Sequence, residues 1–123
     1  APFGFTSGKP WLPLTDEWKE LTVEKQSANP KSTLNLYRTA LKMRSEHLKD
    51  QGPITWLESP DHGTKGNSLL AFRRGDISVH MNLSNSEVEA EITGKLLIMS
   101  AGIVDSRDGK VTIPPISTIW VHH

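Results

Sequence analysis

Apolar residues recur every three or four positions in one stretch of the chain, residues 29–50, and polar residues mostly fall between them. The apolar positions are Leu34, Leu36, Tyr37, Ala40, Leu41, Met43 and Leu48. This spacing predicts an amphipathic helix. Asn29 is predicted to cap its free N–H groups, with Pro30 at the first helical position, and Gly52-Pro53 marks its end. We therefore expect one long helix, with irregular chain before it and strands after it.

After residue 53 the pattern changes to alternation, which is typical of strands. Ile77, Val79, Met81 and Leu83 alternate with Ser78, His80, Asn82 and Ser84. The alternation predicts a half-buried strand whose apolar row faces the core, so an introduced aspartate should be tolerated at His80 and not at Met81. The turn Arg74-Gly75-Asp76 is predicted to form a hairpin with a preceding strand that contains Leu70 and Phe72.

Further strands are predicted toward the end of the chain. Val88, Ala90 and Ile92 alternate with Glu87, Glu89 and Glu91, and Lys95 to Ser100 reads as a fully covered strand. Asp108-Gly109 is predicted to be a turn before Val111 and Ile113, and Ile116 to Val121 to be the last strand. Short strands at this spacing indicate an antiparallel β sandwich. The expected fold class is α+β: an irregular aromatic arm, one long helix, and then the sandwich.

The arm, residues 1–28, is rich in both proline and aromatic residues. Its prolines and glycines oppose long regular elements, and Thr15 is predicted to cap one short helical turn. Its large apolar side chains are Phe3, Phe5, Trp11, Leu12, Leu14 and Trp18. Two interpretations stay open: the aromatics anchor the arm on the chain's own core, or the arm is a loop that lines a functional site.

Charge and composition exclude several classes of protein. Fourteen basic and fourteen acidic residues cancel, so the chain lacks the basic face that nucleic-acid binding requires. No apolar run approaches the roughly 20 residues of a membrane-spanning helix, and no signal-peptide pattern is present. The absence of cysteine fits a reducing compartment, and we expect a cytoplasmic protein.

The chain offers little catalytic or metal-binding chemistry of its own. Its carboxylates lie in polar rows and turns, and none is paired at a strand end beside a hydrophobic wall that would raise its pKa. We expect no metal site and no cofactor, because the five histidines are scattered. His122-His123 reads as a frayed end or a tag remnant, and Asp61-His62-Gly63 as a loop. Asn82-Leu83-Ser84 spells a glycosylation sequon within a predicted strand.

Three spaced motifs resemble one known family. They read GFTSGKPWLPL, LTVEKQ and NPKSTLNLYRTALKMR, and together with their spacing they are similar to α-glucosidases of glycoside hydrolase family 13. The matching positions are Gly4, Phe5, Thr6, Ser7, Gly8, Pro10, Trp11, Val23, Glu24, Gln26, Pro30, Ser32, Leu34, Asn35, Tyr37 and Arg38. Thr22 and Asn29 depart from the Asn and Asp that many members have.

The resemblance implies two regions. Residues 1–51 would be the tail of a catalytic TIM barrel, consisting of the loop after its eighth strand and its last helix. Residues 53–123 would be the C-terminal antiparallel β domain. The family's catalytic carboxylates would lie before residue 1, so no catalytic residue is assigned here. Lys9 and Trp11 would belong to a loop on the substrate side of the barrel.

The function implied is that of a non-catalytic C-terminal piece of an enzyme that hydrolyses α-glucosidic bonds in oligosaccharides with retention. Its partners would be the rest of the barrel and, in the parent enzyme, an oligosaccharide. The alternative is an independent β-sandwich module that binds carbohydrate or protein through exposed aromatics. By itself the chain is expected to self-associate as a two-fold dimer, through the aromatic arm and the helix stripe of Leu34, Tyr37, Ala40, Leu41 and Leu48.

Overall fold

The computed structural model describes residues 3–4, 6–49, 51–57, 69–102, 105–107 and 109–123, with only the backbone for 105–107. The chain divides into two compact units, Ala1–Leu41 and Lys42–His123. This division falls inside the long helix. The predicted boundary between barrel tail and β domain, at residues 51–53, stays a prediction.

The first unit contains more helix than predicted. A 3₁₀-helix spans Asp16–Leu21, and helix α1 spans Val23–Ala28. The predicted helical turn after Thr15 is therefore confirmed, although the Thr15 side chain makes no capping bond. Thr22 caps α1, since its Oγ1 accepts a hydrogen bond of 3.3 Å from Lys25 N–H. The prediction that everything before the long helix is irregular is wrong, because Thr22 provides a second start signal.

The long helix, α2, spans Thr33–His47 and begins later than predicted. Ser32 is its cap, with its Oγ accepting from Asn35 N–H at 3.2 Å. Asn29 lies in the turn between α1 and α2, where its Oδ1 accepts from Lys31 N–H at 3.0 Å. Asparagine readily bonds the backbone two residues on, and that local turn competes with the predicted capping role. The assignment of Asn29 and Pro30 to the helix start is therefore wrong.

The second unit is an antiparallel sandwich of two sheets, as predicted. The first sheet has the order β1-β2-β3-β8-β5 and contains β1 (Thr55–Trp56), β2 (Leu69–Arg74), β3 (Ile77–Asn82), β5 (Lys95–Met99) and β8 (Ser117–His122). The second has the order β4-β7-β6 and contains β4 (Val88–Glu91), β6 (Asp105–Arg107) and β7 (Lys110–Ile113). All the described strand pairs are antiparallel.

The hairpin between β2 and β3 turns as predicted. Arg74 pairs with Ile77, which leaves Gly75 and Asp76 as a two-residue loop. Gly75 has a φ of 56°, a left-handed conformation that glycine adopts without strain. In the other predicted turn Gly109 also has a positive φ, of 78°, while Asp108 lies outside the described residues.

The core lies between the two sheets. It consists of Ala90, Ile92, Val111, Ile113, Ile119 and Val121. The predicted alternation in β4 is confirmed, since Ala90 is buried while Glu89 and Glu91 are exposed. We call the face of the first sheet that carries Ile119 and Val121 its inner face, because both residues pack against the second sheet.

The register shows that the predicted core face of β3 is wrong. Ser78 pairs with Val121 and His80 with Ile119, and directly opposed residues share a face. The polar row of β3 therefore occupies the inner face, and the row of Ile77 occupies the outer face. Residues of both rows are buried, with Ile77 1% and His80 8% exposed, although Met81 in the outer row is only half-buried. The polar row can be buried because its side chains have partners: Ser78 Oγ lies 3.0 Å from His80 Nε2, and Asn82 Nδ2 donates to Ile113 O at 3.0 Å.

Two other expectations for strands need correction. The run from Lys95 is not fully covered, because β5 is an edge strand whose register shifts between Leu96 and Ile98. A bulge of this kind changes which face successive residues occupy, so a continuous apolar run occurs without two covered faces. Leu83, predicted to continue the apolar row of β3, lies after the strand and is exposed.

The inner-face position of Asn82 makes its side chain a hydrogen-bond junction. Asn82 is fully buried, and its Nδ2 donates to the carbonyl oxygens of Ser86, Ile113 and Pro114 at 2.7, 3.0 and 2.9 Å. Its Oδ1 accepts from the N–H and the hydroxyl of Ser84 at 2.9 and 2.7 Å. The side chain of the sequon asparagine is thus engaged inside the protein.

We predict that His80→Asp is more damaging than Met81→Asp, the reverse of the expectation from alternation. His80→Asp places a carboxylate on the buried inner face opposite Ile119, which should lower the free energy of unfolding by at least about 2 kcal/mol. Met81 is only half-buried, so its aspartate keeps more contact with water. Urea midpoints at pH 7 compare the two variants, and a lower midpoint for Met81→Asp would contradict the register.

Candidate functional site

A shallow hollow of about 490 Å³ lies within the first unit. It is lined by Thr6, Lys9, Pro10, Trp11, Leu12, Leu14 and Trp18. The two residues that the sequence assigns to a substrate-side loop, Lys9 and Trp11, therefore line one hollow. Trp11 is 94% exposed, so almost all of its indole is accessible from solvent. Whether the pair meets a substrate stays a prediction.

Local sequence chemistry shapes this loop. Thr6 Oγ1 accepts from Gly8 N–H at 3.1 Å, and this side chain–backbone bond tightens the turn before Lys9. Pro10 and Pro13 fix their φ angles near −65°, which limits the conformations of the segment that presents Trp11. The 3₁₀-helix follows, and Trp18 N–H donates to Thr15 O at 3.2 Å. A short, proline-restricted loop thus presents the exposed indole.

The described lining of the hollow offers groups suited to binding and no carboxylate for acid–base catalysis. An exposed indole offers a flat apolar face against which a sugar ring can stack, and Lys9 offers an ammonium donor for hydroxyl oxygens. No carboxylate is among the lining residues. A retaining glycosidase needs two carboxyl groups about 5 Å apart, one as nucleophile and one as acid. The described lining residues therefore favour the binding of a ligand, and the two catalytic carboxyl groups are not among them.

The described carboxylates elsewhere occupy exposed positions. Asp16 pairs with Lys19 at 2.7 Å within the 3₁₀-helix, and both side chains are more than half exposed. Glu89 and Glu91 line the solvent side of β4. Within the described ranges there is also no group of three or more His, Cys, Asp or Glu side chains that could hold a metal ion. Likewise, the helices in those ranges include none long and apolar enough to cross a membrane.

The last two histidines are ordered, so the prediction of a frayed end is wrong. His122 belongs to β8, where it pairs with Ile77 and Lys95, and its ring lies 5.1 Å from that of His47. His123 N–H donates to Asp76 O at 2.9 Å. Backbone pairing extends to the final residue because the β2–β3 turn supplies an acceptor. The other histidine segment considered, Asp61-His62-Gly63, lies outside the described residues.

The sequence did not predict one polar cluster, in which Ser78 and His80 are buried and His123 is exposed. Ser78 Oγ lies 3.0 Å from His80 Nε2 and 2.8 Å from His123 Nε2. Burial lowers the pKa of His80, and the charge on His123 lowers it further. Alternation along β3 predicted that this row faces solvent, and no pattern in the sequence indicated that the two histidines lie close together. Only the pairing of β3 with β8 does so.

Comparison with known proteins matches the first part of the chain to one family. A family model described as "Alpha amylase, catalytic domain" covers residues 2–51. An α-glucosidase from Candida albicans is 43% identical over 60 residues, which is 47% of this chain and 10% of the relative. An oligo-1,6-glucosidase from Parageobacillus thermoglucosidasius is 34% identical over 44 residues, 36% of this chain and 8% of the relative.

A third relative extends through most of the chain. The glucan 1,6-α-glucosidase of Streptococcus pneumoniae is 28% identical over 99 residues, 76% of this chain and 17% of the relative. The chain therefore spans less than a fifth of the length of the curated relatives it matches.

Solved structures share the fold over nearly the whole chain. A trehalose-6-phosphate hydrolase from Bacillus licheniformis matches with a TM-score of 0.69 and 25% identity, covering 97% of this chain and 23% of its own. The trehalulose synthase of Pseudomonas mesoacidophila matches with a TM-score of 0.71 and 20% identity, again covering 97% and 23%. The resemblance seen in the three motifs is confirmed: the match of residues 2–51, the curated relatives and the solved structures all support an α-glucosidase-like protein of the α-amylase family, glycoside hydrolase family 13.

Proposed function

We propose that this chain is a non-catalytic, C-terminal part of an α-glucosidase-type glycoside hydrolase. The whole enzyme would hydrolyse α-glucosidic bonds in oligosaccharides with retention and, given a sequence without cysteine, would act in the cytoplasm. The observation that carries the proposal is the match of residues 2–51 to the α-amylase catalytic domain, together with relatives that are α-glucosidases. The chain itself contributes structure, since its described carboxylates form no catalytic pair.

The exposed apolar side chains of α2 support a structural role, in which the rest of the catalytic barrel would pack against this helix. None of the 15 residues of this helix is buried, and Tyr37 and Leu41 are 64% and 60% exposed. An amphipathic helix normally buries its apolar stripe, and each large side chain so buried contributes roughly 1.5–3 kcal/mol. In the proposed parent enzyme the remainder of the catalytic barrel would cover this stripe.

The hollow around Trp11 supports a place on the substrate side. In the proposed enzyme Trp11 would stack on a sugar ring, and Lys9 would donate to its hydroxyls. Neither would take part in bond cleavage, which is left to the paired carboxylates of the upstream chain. Both are therefore proposed as binding residues for the oligosaccharide.

An independent carbohydrate- or protein-binding module is the second candidate. One observation favours it: Trp56, in the edge strand β1, is 63% exposed and stands edge-on to Phe72 with ring centroids 5.7 Å apart. Such an aromatic pair on a sheet can receive a sugar ring or an apolar side chain. Binding of an oligosaccharide by the isolated chain, lost in Trp56→Ala and kept in Trp11→Ala, would favour this candidate.

We predict that the isolated chain hydrolyses no α-glucoside. The expected release of p-nitrophenol from p-nitrophenyl α-glucoside equals that of buffer, because the chain supplies neither a nucleophilic nor an acidic carboxyl at the required spacing. Turnover by the pure chain that disappears when one of its own carboxylates is changed to an amide would contradict the non-catalytic role.

We also predict that the isolated chain self-associates through the stripe on α2. Light scattering across micromolar concentrations should show a mass that rises with concentration, and Leu41→Glu should hold the chain closer to a monomer, because a carboxylate in the stripe opposes apolar contact. Thr39→Glu adds the same charge on the opposite, polar side of the helix and should leave association unchanged. A wild-type monomer at every concentration would contradict the prediction.

A further inference from the structure

Two histidines share one buried hydroxyl at the end of the sandwich. His80 is on β3 and His123 follows β8, and the Nε2 atom of each lies within 3.0 Å of Ser78 Oγ. Ser78 is fully buried. We propose that these three residues form an acid-sensitive latch, which holds the end of β8 against the β2–β3 hairpin at neutral pH and releases it in acid.

The effect of acid on the latch follows from counting the hydrogen-bond donors and acceptors of its three side chains. A serine hydroxyl has one hydrogen, while a neutral imidazole has one ring nitrogen that donates and one that accepts. With both histidines neutral, Ser78 donates to one Nε2 and the other Nε2–H donates to Ser78. With both protonated, two Nε2–H groups point at one oxygen and the Ser78 hydrogen loses its acceptor. The doubly protonated state therefore loses a hydrogen bond and places two cations beside one oxygen.

The surroundings of His80 supply no anion to offset that charge. Its cross-strand neighbours are Ala71 on β2 and Ile119 on β8. The second sheet contributes the apolar core residues of β4 and β7. The charged residue paired with Ser78 is the cation Arg73, which donates to Gly75 O at 2.9 Å. Among the described residues no ion pair reaches either imidazole.

The turn next to the cluster does contain a carboxyl group, that of Asp76. Asp76 contributes its backbone oxygen to the latch, as the acceptor for His123 N–H at 2.9 Å, and the residue is exposed. An exposed carboxylate in water offsets a nearby positive charge only weakly. A proton taken up by His80 in acid is thus opposed mainly by burial and then by the charge on His123, which together lower the pKa of His80.

The lowered pKa of His80 gives the direction in which pH changes the stability of the folded chain. Burial, and then the charge on His123, lowers the pKa of His80 below its ordinary 6.5. The unfolded chain then binds the proton more tightly than the folded chain. The contribution of the cluster to stability is therefore present above about pH 6.5 and is lost as the pH falls below that value.

Release of the latch would loosen a defined part of the sheet. The pairs at this end of β8 join His122 to Ile77 on β3 and to Lys95 on β5. Since β8 lies between these two strands, fraying here exposes hydrogen bonds on both sides. The inference is independent of the proposed enzyme function, because it concerns the sandwich alone.

Hydrogen exchange at the His123 amide tests the latch, because this N–H reports the contact with Asp76. Protection factors are measured by NMR at pH 7.5 and pH 5.0, which removes the intrinsic pH dependence of exchange. The wild-type factor is expected to fall at least about tenfold in acid, equivalent to about 1.4 kcal/mol. In His123→Gln, whose amide oxygen accepts from Ser78 without titrating, the factor should stay within about threefold.

His122→Gln is the matched control, since this neighbouring ring contacts His47 and not the cluster. It should show the same fall as the wild-type chain. In His123→Gln the titration midpoint of the His80 ring should also rise, because one positive neighbour is gone. A wild-type factor unchanged in acid, an equal fall in His123→Gln, or loss of the fall in His122→Gln would each overturn the proposal.

Discussion

The sandwich depends on one buried amide, that of Asn82. Two connections cross between the sheets beside it, from β3 to β4 and from β7 to β8, and its Nδ2 donates to carbonyl oxygens in both. The second connection contains Pro114-Pro115, whose nitrogens carry no hydrogen, so its carbonyls need donors from elsewhere. Ile113, whose carbonyl accepts one of these bonds, is fully buried, and a buried carbonyl left unpaired costs about 1–3 kcal/mol. The amide therefore fixes how two sheets of short strands meet.

The two compact units differ in how complete they are. The second has an apolar core between its sheets. In the described part of the first, Ser32 alone is buried, and its hydroxyl donates to Gln26 O at 2.6 Å. Large apolar side chains such as Trp11 and Leu41 stay exposed there. Hydrogen bonds in a polar turn thus hold the helices of the first unit together, while their apolar side chains stay exposed. This exposure supports the proposed role as part of a larger catalytic domain.

Periodicity predicted which residues share a face, and it could not predict which face is covered. The alternation through β3 correctly separated the row of Ile77 from the row of His80. The core lies on the side of the polar row, because that row pairs with Ile119 and Val121 of a distant strand, and both of these residues belong to the core. The latch and the hydrogen bonds of Asn82 were not predicted, because both depend on the polar row of β3 facing the core. Lys9 and Trp11 were assigned to the substrate side from a motif; both line one hollow, and their contact with a substrate stays a prediction.

The central claim is that this chain is one portion of a larger α-glucosidase-type enzyme. The most direct measurement is the intact mass of the protein purified from its natural source and detected through this sequence. The account predicts a polypeptide several times heavier than 13.7 kDa, because the chain spans less than a fifth of its curated relatives. The same purified protein should cleave α-glucosidic bonds in short oligosaccharides. A natural product of 13.7 kDa would contradict the account and favour an independent module.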